Sequence, residues 1–213
     1  MRVASRYRPI ERMRIDPTHE EMCFVQYLPV KIPEQGFAVP KNLSWTWPLL
    51  FRAFNDWVNT NSISIVDAED TYVYLTVKRL WVSGDNVGNR TGWHIDGFMT
   101  EDVNYIWFNG APTVIMDGVA DIDEDHEKSM LQMDALSDKM RRVHAEKNML
   151  IKLTNQDIHS PPFHVHSHLR TFVKVSISKD KYNLKGNAHN YLLDYKWDMK
   201  DREISRNHPT KGD

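Results

Sequence analysis

The spacing of apolar positions along this chain changes from irregular to helical, then to alternating. Through the first 45 residues Pro9, Pro17, Pro29, Pro33 and Pro40 interrupt any long helix, which predicts short extended segments joined by turns. Phe24-Val25-Gln26-Tyr27-Leu28 and Val30-Lys31-Ile32 read as edge strands. Behind Thr46 and Pro48, a capping residue and a first-turn proline, Trp47, Leu50, Phe51, Phe54, Trp57 and Val58 recur at helical spacing. That stripe predicts a helix packed on a sheet, and core packing is the expected use of its aromatic rings.

From about residue 62 the period falls to two, in Ile63-Ser64-Ile65-Val66 and then in the long run Tyr72 to Val82. A turn-rich loop from Gly84 to Gly92 delivers the chain to Trp93-His94-Ile95-Asp96-Gly97, where extended residues two apart share a face. Tyr105-Ile106-Trp107-Phe108 and Pro112 to Met116 read as a strand pair, with Asn109-Gly110 as the hairpin turn. The acidic run from Asp121 to Asp125 opens a helical insert, about 121–147, on which Met130, Met133, Leu136, Met140 and Val143 recur at three and four. Strands resume at Met149-Leu150-Ile151-Lys152-Leu153 and at Phe172 to Ser178. A polar tail, 180–213, follows, anchored by Tyr191, Leu192, Tyr195 and Trp197.

Length and composition narrow the field. At 213 residues, 41% hydrophobic and 26% charged, the chain suits one domain with one sizeable core. A formal net charge of −2 offers no global basic field for nucleic acid. A lone cysteine, Cys23, excludes an internal disulfide framework and fits a reducing compartment. Met1 to Arg8 has charge with no apolar run behind it, and no stretch approaches the roughly 18 apolar residues of a membrane span. The expectation is a soluble, cytoplasmic protein.

Candidate chemistry sits at His94-x-Asp96, with His159 far downstream and Arg170 eleven residues beyond that. Two imidazoles and a carboxylate can hold one face of a divalent iron and leave the opposite face open. A planar guanidinium is the side chain best shaped to grip a carboxylate through two parallel hydrogen bonds. The bend from Ile158 to His168 also contains His164, His166 and His168. Placing a metal ligand and a carboxylate clamp on neighbouring strands with a turn between them favours His159, and leaves His164 and His166 as the alternatives.

The pattern His94-x-Asp96, His159, Arg170 resembles the Fe(II)/2-oxoglutarate-dependent dioxygenase superfamily over roughly residues 70 to 180. The resemblance implies a mainly β fold with flanking helices around a double-stranded β-helix, or jelly-roll, core. It implies a single oxygenase domain over 1–213, with strands and a helix at 20–60 before the core. It also implies iron held by His94, Asp96 and His159, the catalytic set, and 2-oxoglutarate clamped through its distal carboxylate by Arg170. The activity it implies is hydroxylation with O₂ as oxidant and release of succinate and CO₂. The family often places serine or threonine two residues after the arginine, where this chain has Phe172, so another donor is required. Tyr105 and Thr76 lead that choice, ahead of Tyr74, Lys78 and Asn104.

Loops around a rigid sheet usually carry specificity, so the N-terminal segment, the loop from Gly84 to Gly92 and the insert are expected to recognise substrate. Trp81, Trp93, Phe98, Tyr105 and Trp107 are candidate pocket rings, and Arg79, Arg90 and His164 candidate anion contacts. A small-molecule acid or amino acid is the expected substrate, with a protein side chain or nucleotide as competitor. Two other readings stay open. One is a cupin-like metal protein centred on His164-Val165-His166, acting as an isomerase, a hydrolase or a sugar-binding module. The other is an oxygenase-like scaffold serving as an interaction domain.

Overall fold

The computed structural model describes residues 1–17, 21–163 and 165–202. Its strands and helices run in the order β1 (Arg2–Ser5), β2 (Arg8–Arg12), β3 (Cys23–Lys31), α1 (Trp47–Thr60), α2 (Ile65–Glu69), β4 (Tyr72–Val82), β5 (Val103–Phe108) and β6 (Val114–Asp121). Then come α3 (His126–Leu136), β7 (Arg141–His144), β8 (Met149–Thr154), β9 (His159–Ser160) and β10 (His168–Ser178). One antiparallel sheet has the order β2-β8-β5-β10-β4-β3. The other has the order β1-β6-β7, with β9 also pairing β6, and His94 is bridged to His159 on the far side of β9. From β4 onward the chain passes between the sheets at nearly every connection, and this winding is the double-stranded β-helix.

Alternation explains how one sheet serves two environments. On β4 and β10 the residues Val73, Leu75, Val77, Val173, Val175 and Ile177 face outward onto Leu49, Leu50, Ala53 and Trp57 of α1. Ile106, Phe108 and Phe172 face inward against Ile115 and Ala145, between the sheets. Beyond the second sheet a third cluster joins Val114, Met116 and Ile158 to Trp93, Phe98 and Met133 of α3. Both faces of the first sheet are thus buried, which accounts for the nearly unbroken burial along β10.

Several expectations change. Asn109-Gly110 joins strands of different sheets instead of turning a hairpin. Gly110 O accepts Arg170 Nε at 3.0 Å, and Asn109 Oδ1 accepts the Thr171 amide at 2.9 Å. Ile65 and Val66 begin α2 because Ser64 caps it, its hydroxyl accepting the Asp67 amide at 3.1 Å. The insert is helical only from His126 to Leu136. Arg141 to His144 form β7, since Met140 and Val143 follow the helix end and Val143 pairs with Ile115. Phe51 lies on the exposed side of α1, where Leu49 and Ala53 take the buried stripe. In the tail Tyr191 and Leu192 are exposed, and the anchors are Leu193 and Asn190, whose amide donates to Pro29 O and Ala38 O. No helix among the described residues is long and apolar enough to cross a membrane.

Asp157, fully buried, fastens the N-terminal strands to the turn before β9. Its carboxylate accepts the Arg6 amide at 2.9 Å, the Thr154 amide at 2.7 Å and the Thr154 hydroxyl at 2.8 Å, and it pairs with Arg8. Asp157→Ala leaves those donors without their acceptor. It should lower the unfolding free energy by about 2–4 kcal/mol in urea denaturation, with Asp157→Asn losing less.

Candidate functional site

Three segments bring the metal-binding side chains together. Past the loop ending at Gly92, His94 pairs with β9 through its own amide to His159 O at 3.0 Å and the His159 amide to His94 O at 2.9 Å. This reciprocal pair sets the two imidazoles side by side, ring centroids 4.5 Å apart. Gly97, with φ +70, then turns the chain sharply. A Cβ there would come within 2.7 Å of Asp102, so the bend that carries Asp96 needs glycine.

One ligand atom each from His94, Asp96 and His159 lies within 4.8 Å of the others. His94 Nε2 is 3.9 Å from Asp96 Oδ1, and His159 Nε2 is 3.8 Å from Asp96 Oδ2. The other ring nitrogens are engaged, His94 Nδ1 with Gly92 O and His159 Nδ1 with Asp157 O, both at 2.9 Å. Those carbonyls accept only from N–H, so each Nε2 lone pair is turned toward the common point. Burial, then the neighbouring His159, lowers the His94 pKa to about 4, so His94 is neutral at pH 7. Burial alone would raise Asp96, but Lys174 and the two imidazoles outweigh it and hold the carboxyl far below its usual range. Two imidazole nitrogens and one carboxylate suit ferrous iron or a similar divalent ion.

The triad opens into a cavity of about 410 Å³, whose lining includes Thr76, Lys78, Arg90, Phe172, Lys174 and Tyr182. Lys174 Nζ donates to Asp96 Oδ2 at 3.0 Å and to Tyr27 Oη at 2.9 Å. Arg170 lies on the same face of β10 as Phe172 and Lys174. Its Nε donates to Gly110 O, but its buried Nη2 has no partner among the described residues. The guanidinium sits 5.0 Å from the centre of the Phe172 ring and 5.6 Å from that of Phe108. Burial lowers the Arg170 pKa to about 10. Burial, then Lys174 and Arg170, lowers Lys78 to about 8.

The other sequence candidates divide. Thr76 lines the cavity, its hydroxyl accepting the Tyr27 amide at 3.0 Å. Tyr105 faces the opposite side of the sheet and donates to Asp56 of α1 at 2.8 Å, so strand parity removes it from the cavity. Parity likewise turns Trp107 outward, Trp93 and Phe98 belong to the third cluster, and Trp81 is exposed. Arg90 lines the cavity, whereas Arg79 donates to Thr171 at 2.9 Å. His159 and Arg170 lie in different sheets, not across a hairpin, so the bend between them spans the sandwich. His168 opens β10 with its Nδ1 against His166 O, and His164 lies outside the described residues. Lys174 was not among the candidates. Its signal was a cation two and four residues beyond Phe172 and Arg170 on one face of an apolar strand.

No protein-family model matches the chain, and neither does any curated protein. Partial likeness extends to solved structures. A full-length Neurospora crassa thymine hydroxylase in complex with alpha-KG is 10% identical, with TM-score 0.36, over 64% of this chain and 49% of that one. The same hydroxylase with alpha-KG and 5-formyluracil gives 10% identity and TM-score 0.36, over 67% and 51%. The non-heme alpha ketoglutarate dependent epimerase SnoN from nogalamycin biosynthesis gives 11% and 0.37, over 80% and 70%. The chain spans about half the length of the Neurospora crassa hydroxylase.

A direct check of the triad is titration of the metal-free protein with Co(II) or Fe(II). Wild type should bind a single ion, and Asp96→Asn, which keeps the volume and removes the charge, should bind it about 100-fold more weakly or worse. Unchanged affinity in that variant would place the metal elsewhere.

Proposed function

We propose that this chain is an Fe(II)- and 2-oxoglutarate-dependent oxygenase that oxidises a small molecule. The observation that carries the reading is the convergence of His94 Nε2, the Asp96 carboxylate and His159 Nε2 on a cavity lined by β10, the strand that also holds a buried guanidinium with a vacant donor. Iron held by these three residues would supply open positions at which 2-oxoglutarate and O₂ react, giving succinate and CO₂ as a second molecule is oxidised.

The remaining side chains divide the binding work. Arg170, Lys78 and Lys174 bring three cations to a region whose lining includes one carboxylate, Asp96. A ferrous ion adds further positive charge, so a dianion is the ligand that balances the site. Arg170, with no carboxylate against it among the described residues, is the natural seat for the distal carboxylate of 2-oxoglutarate. Phe172 cannot donate, but Lys78 stands directly across from it on β4 and offers the donor that the serine or threonine pattern would otherwise supply. Lys78 Nζ is already oriented by Gly88 O at 3.0 Å and Asn89 Oδ1 at 3.1 Å. Lys174 holds one oxygen of Asp96 and so fixes the plane of the third ligand. Phe108, Phe172 and Ile106 keep water from the Arg170 end, where the ion pair gains strength from a low dielectric.

Aerobic incubation with Fe(II) and 2-oxoglutarate should yield succinate, and no succinate from folded, iron-loaded protein would sink the reading. Arg170→Ala should weaken 2-oxoglutarate binding by about 30-fold to several thousand-fold, while sparing the metal, because it removes a buried charge partner worth roughly 2–5 kcal/mol. Calorimetry on iron-loaded protein separates the two. The Lys78 pKa of about 8 sets a pH dependence. A carboxylate favours the ammonium form, so binding draws a proton onto Lys78 above that pH, and affinity falls as pH rises past about 8. Lys78→Met should bind more weakly below pH 8 and lose that decline.

A further inference from the structure

An unbroken run of oxidisable rings leads from the cavity to the surface. Tyr27 and Tyr182 both line the cavity and stack at 5.1 Å between centroids with an 18° interplanar angle. Tyr182 meets Tyr74 edge-on at 5.0 Å, and Tyr74 stacks on Tyr72 at 5.9 Å. Tyr72 then meets Trp197 at 5.9 Å, and Trp197 meets Tyr195 at 4.4 Å. Tyr195 and Trp197 are half-buried, so the run reaches the surface at this pair.

Aromatic pairs also form for packing alone, and the group around α1 shows what that looks like: Phe37, Phe51 and Phe54 mixed with Trp47 and Trp57. The run from the cavity holds tyrosine and tryptophan with no phenylalanine, the two side chains that give up an electron most readily. Its inner end is joined to the metal ligands, since Lys174 Nζ bridges Tyr27 Oη and Asp96 Oδ2. Tyr27 is held there at φ +46, a left-handed conformation costly for a bulky side chain, within the bulge between Val25 and Leu28. Tyr182 Oη donates to the buried Asp102 carboxylate, so a proton acceptor is already in place. Burial raises the Asp102 pKa, which makes that carboxylate a better base.

We propose that these rings form an electron relay that discharges the site when O₂ and 2-oxoglutarate are consumed without a substrate to oxidise. This rests on the reading above for the source of the oxidant. Tyr182 gives one electron to the oxidant left at the triad and its phenolic proton to Asp102, leaving a neutral phenoxyl. Each ring along the run loses one electron inward and regains one from its outer neighbour. A one-electron reductant of the ascorbate or thiol class supplies the last electron at the outer end, and Asp102 returns the proton to Tyr182. Two such passages deliver two electrons from the external reductant, and with two protons taken from solvent the oxygen atom left after decarboxylation is reduced to water while every ring is restored.

The relay is testable without metal. Metal-free protein is oxidised in solution by a flash-generated ruthenium tris-bipyridine oxidant, and the tyrosyl radical is followed by electron paramagnetic resonance. Wild type should hold a long-lived tyrosyl signal, because the hole settles on Tyr182 beside Asp102. Tyr182→Phe should lose that signal by removing its seat, and Trp197→Phe by cutting the path from the surface. A signal of equal yield and lifetime in both folded variants overturns the relay. A parallel arm exposes iron- and 2-oxoglutarate-loaded wild type to O₂ without substrate. Succinate together with a tyrosyl signal that Tyr182→Phe abolishes supports both inferences. Succinate with no tyrosyl signal overturns the discharge role. Absence of succinate, with the metal-free signals behaving as expected, overturns the oxygenase reading and the discharge role and leaves a conducting path with a different oxidant.

Discussion

The reciprocal backbone hydrogen bonds between His94 and His159 are the constraint on which the site depends. They are the only ladder rung between the segment after the Gly84 to Gly92 loop and β9 among the described residues, and they close the second sheet at its edge. Because the rung joins the two residues whose imidazoles carry the candidate ligands, closing the sheet and spacing the ligands are one event. The side-chain anchors extend the same logic, since each Nδ1 rests on a carbonyl two residues earlier in its own chain. Ligand orientation is therefore written into local backbone, and the rest of the fold has only to hold two short segments in register.

Charge supplies the second constraint. Asp96 sits between two imidazoles and an ammonium, and its carboxylate stays ionised despite burial because Lys174 faces it directly. Lys174 in turn tolerates burial because it has Asp96 and Tyr27 as partners. Among the described residues Arg170 and Lys78 form no ion pair, and their pKa values are depressed by burial, that of Lys78 also by the neighbouring Lys174 and Arg170. A cavity that strains its own cations in the free state gains more from an anionic ligand than a relaxed one would.

Much of this was legible in the residue pattern, and the exceptions have physical causes. The long strand from Tyr72 to Val82 and the helix behind Pro48 were readable because each buries a strongly periodic face. His94, Asp96, His159 and Arg170 were readable as chemistry, although the last two do not face each other across a hairpin, because β9 and β10 lie in different sheets. Tyr105 was misplaced by strand parity, which sequence does not fix without knowing which face is the cavity. Arg2–Ser5 and Arg8–Arg12 fall in the stretch expected to hold short extended segments, but their bounds were not readable, because β1 and β2 are edge elements whose arginines blur the apolar alternation. Lys174 was hidden in an apolar run, and Ser64 caps a helix where alternation suggested extension.

The two-sided burial of β10 assigns alternate residues of a single strand to different neighbours. Phe172 and Lys174 line the cavity, and Val173 and Val175 address the α1 core. Substitutions at Val173 and Val175 alter the packing on α1, whereas those at Phe172 and Lys174 reach both the cavity and the contacts between the sheets. Insertion or deletion of one residue within the strand would exchange the two sets, driving Lys174 toward the helix and a valine toward Asp96. The strand is therefore constrained in length as well as in side chain.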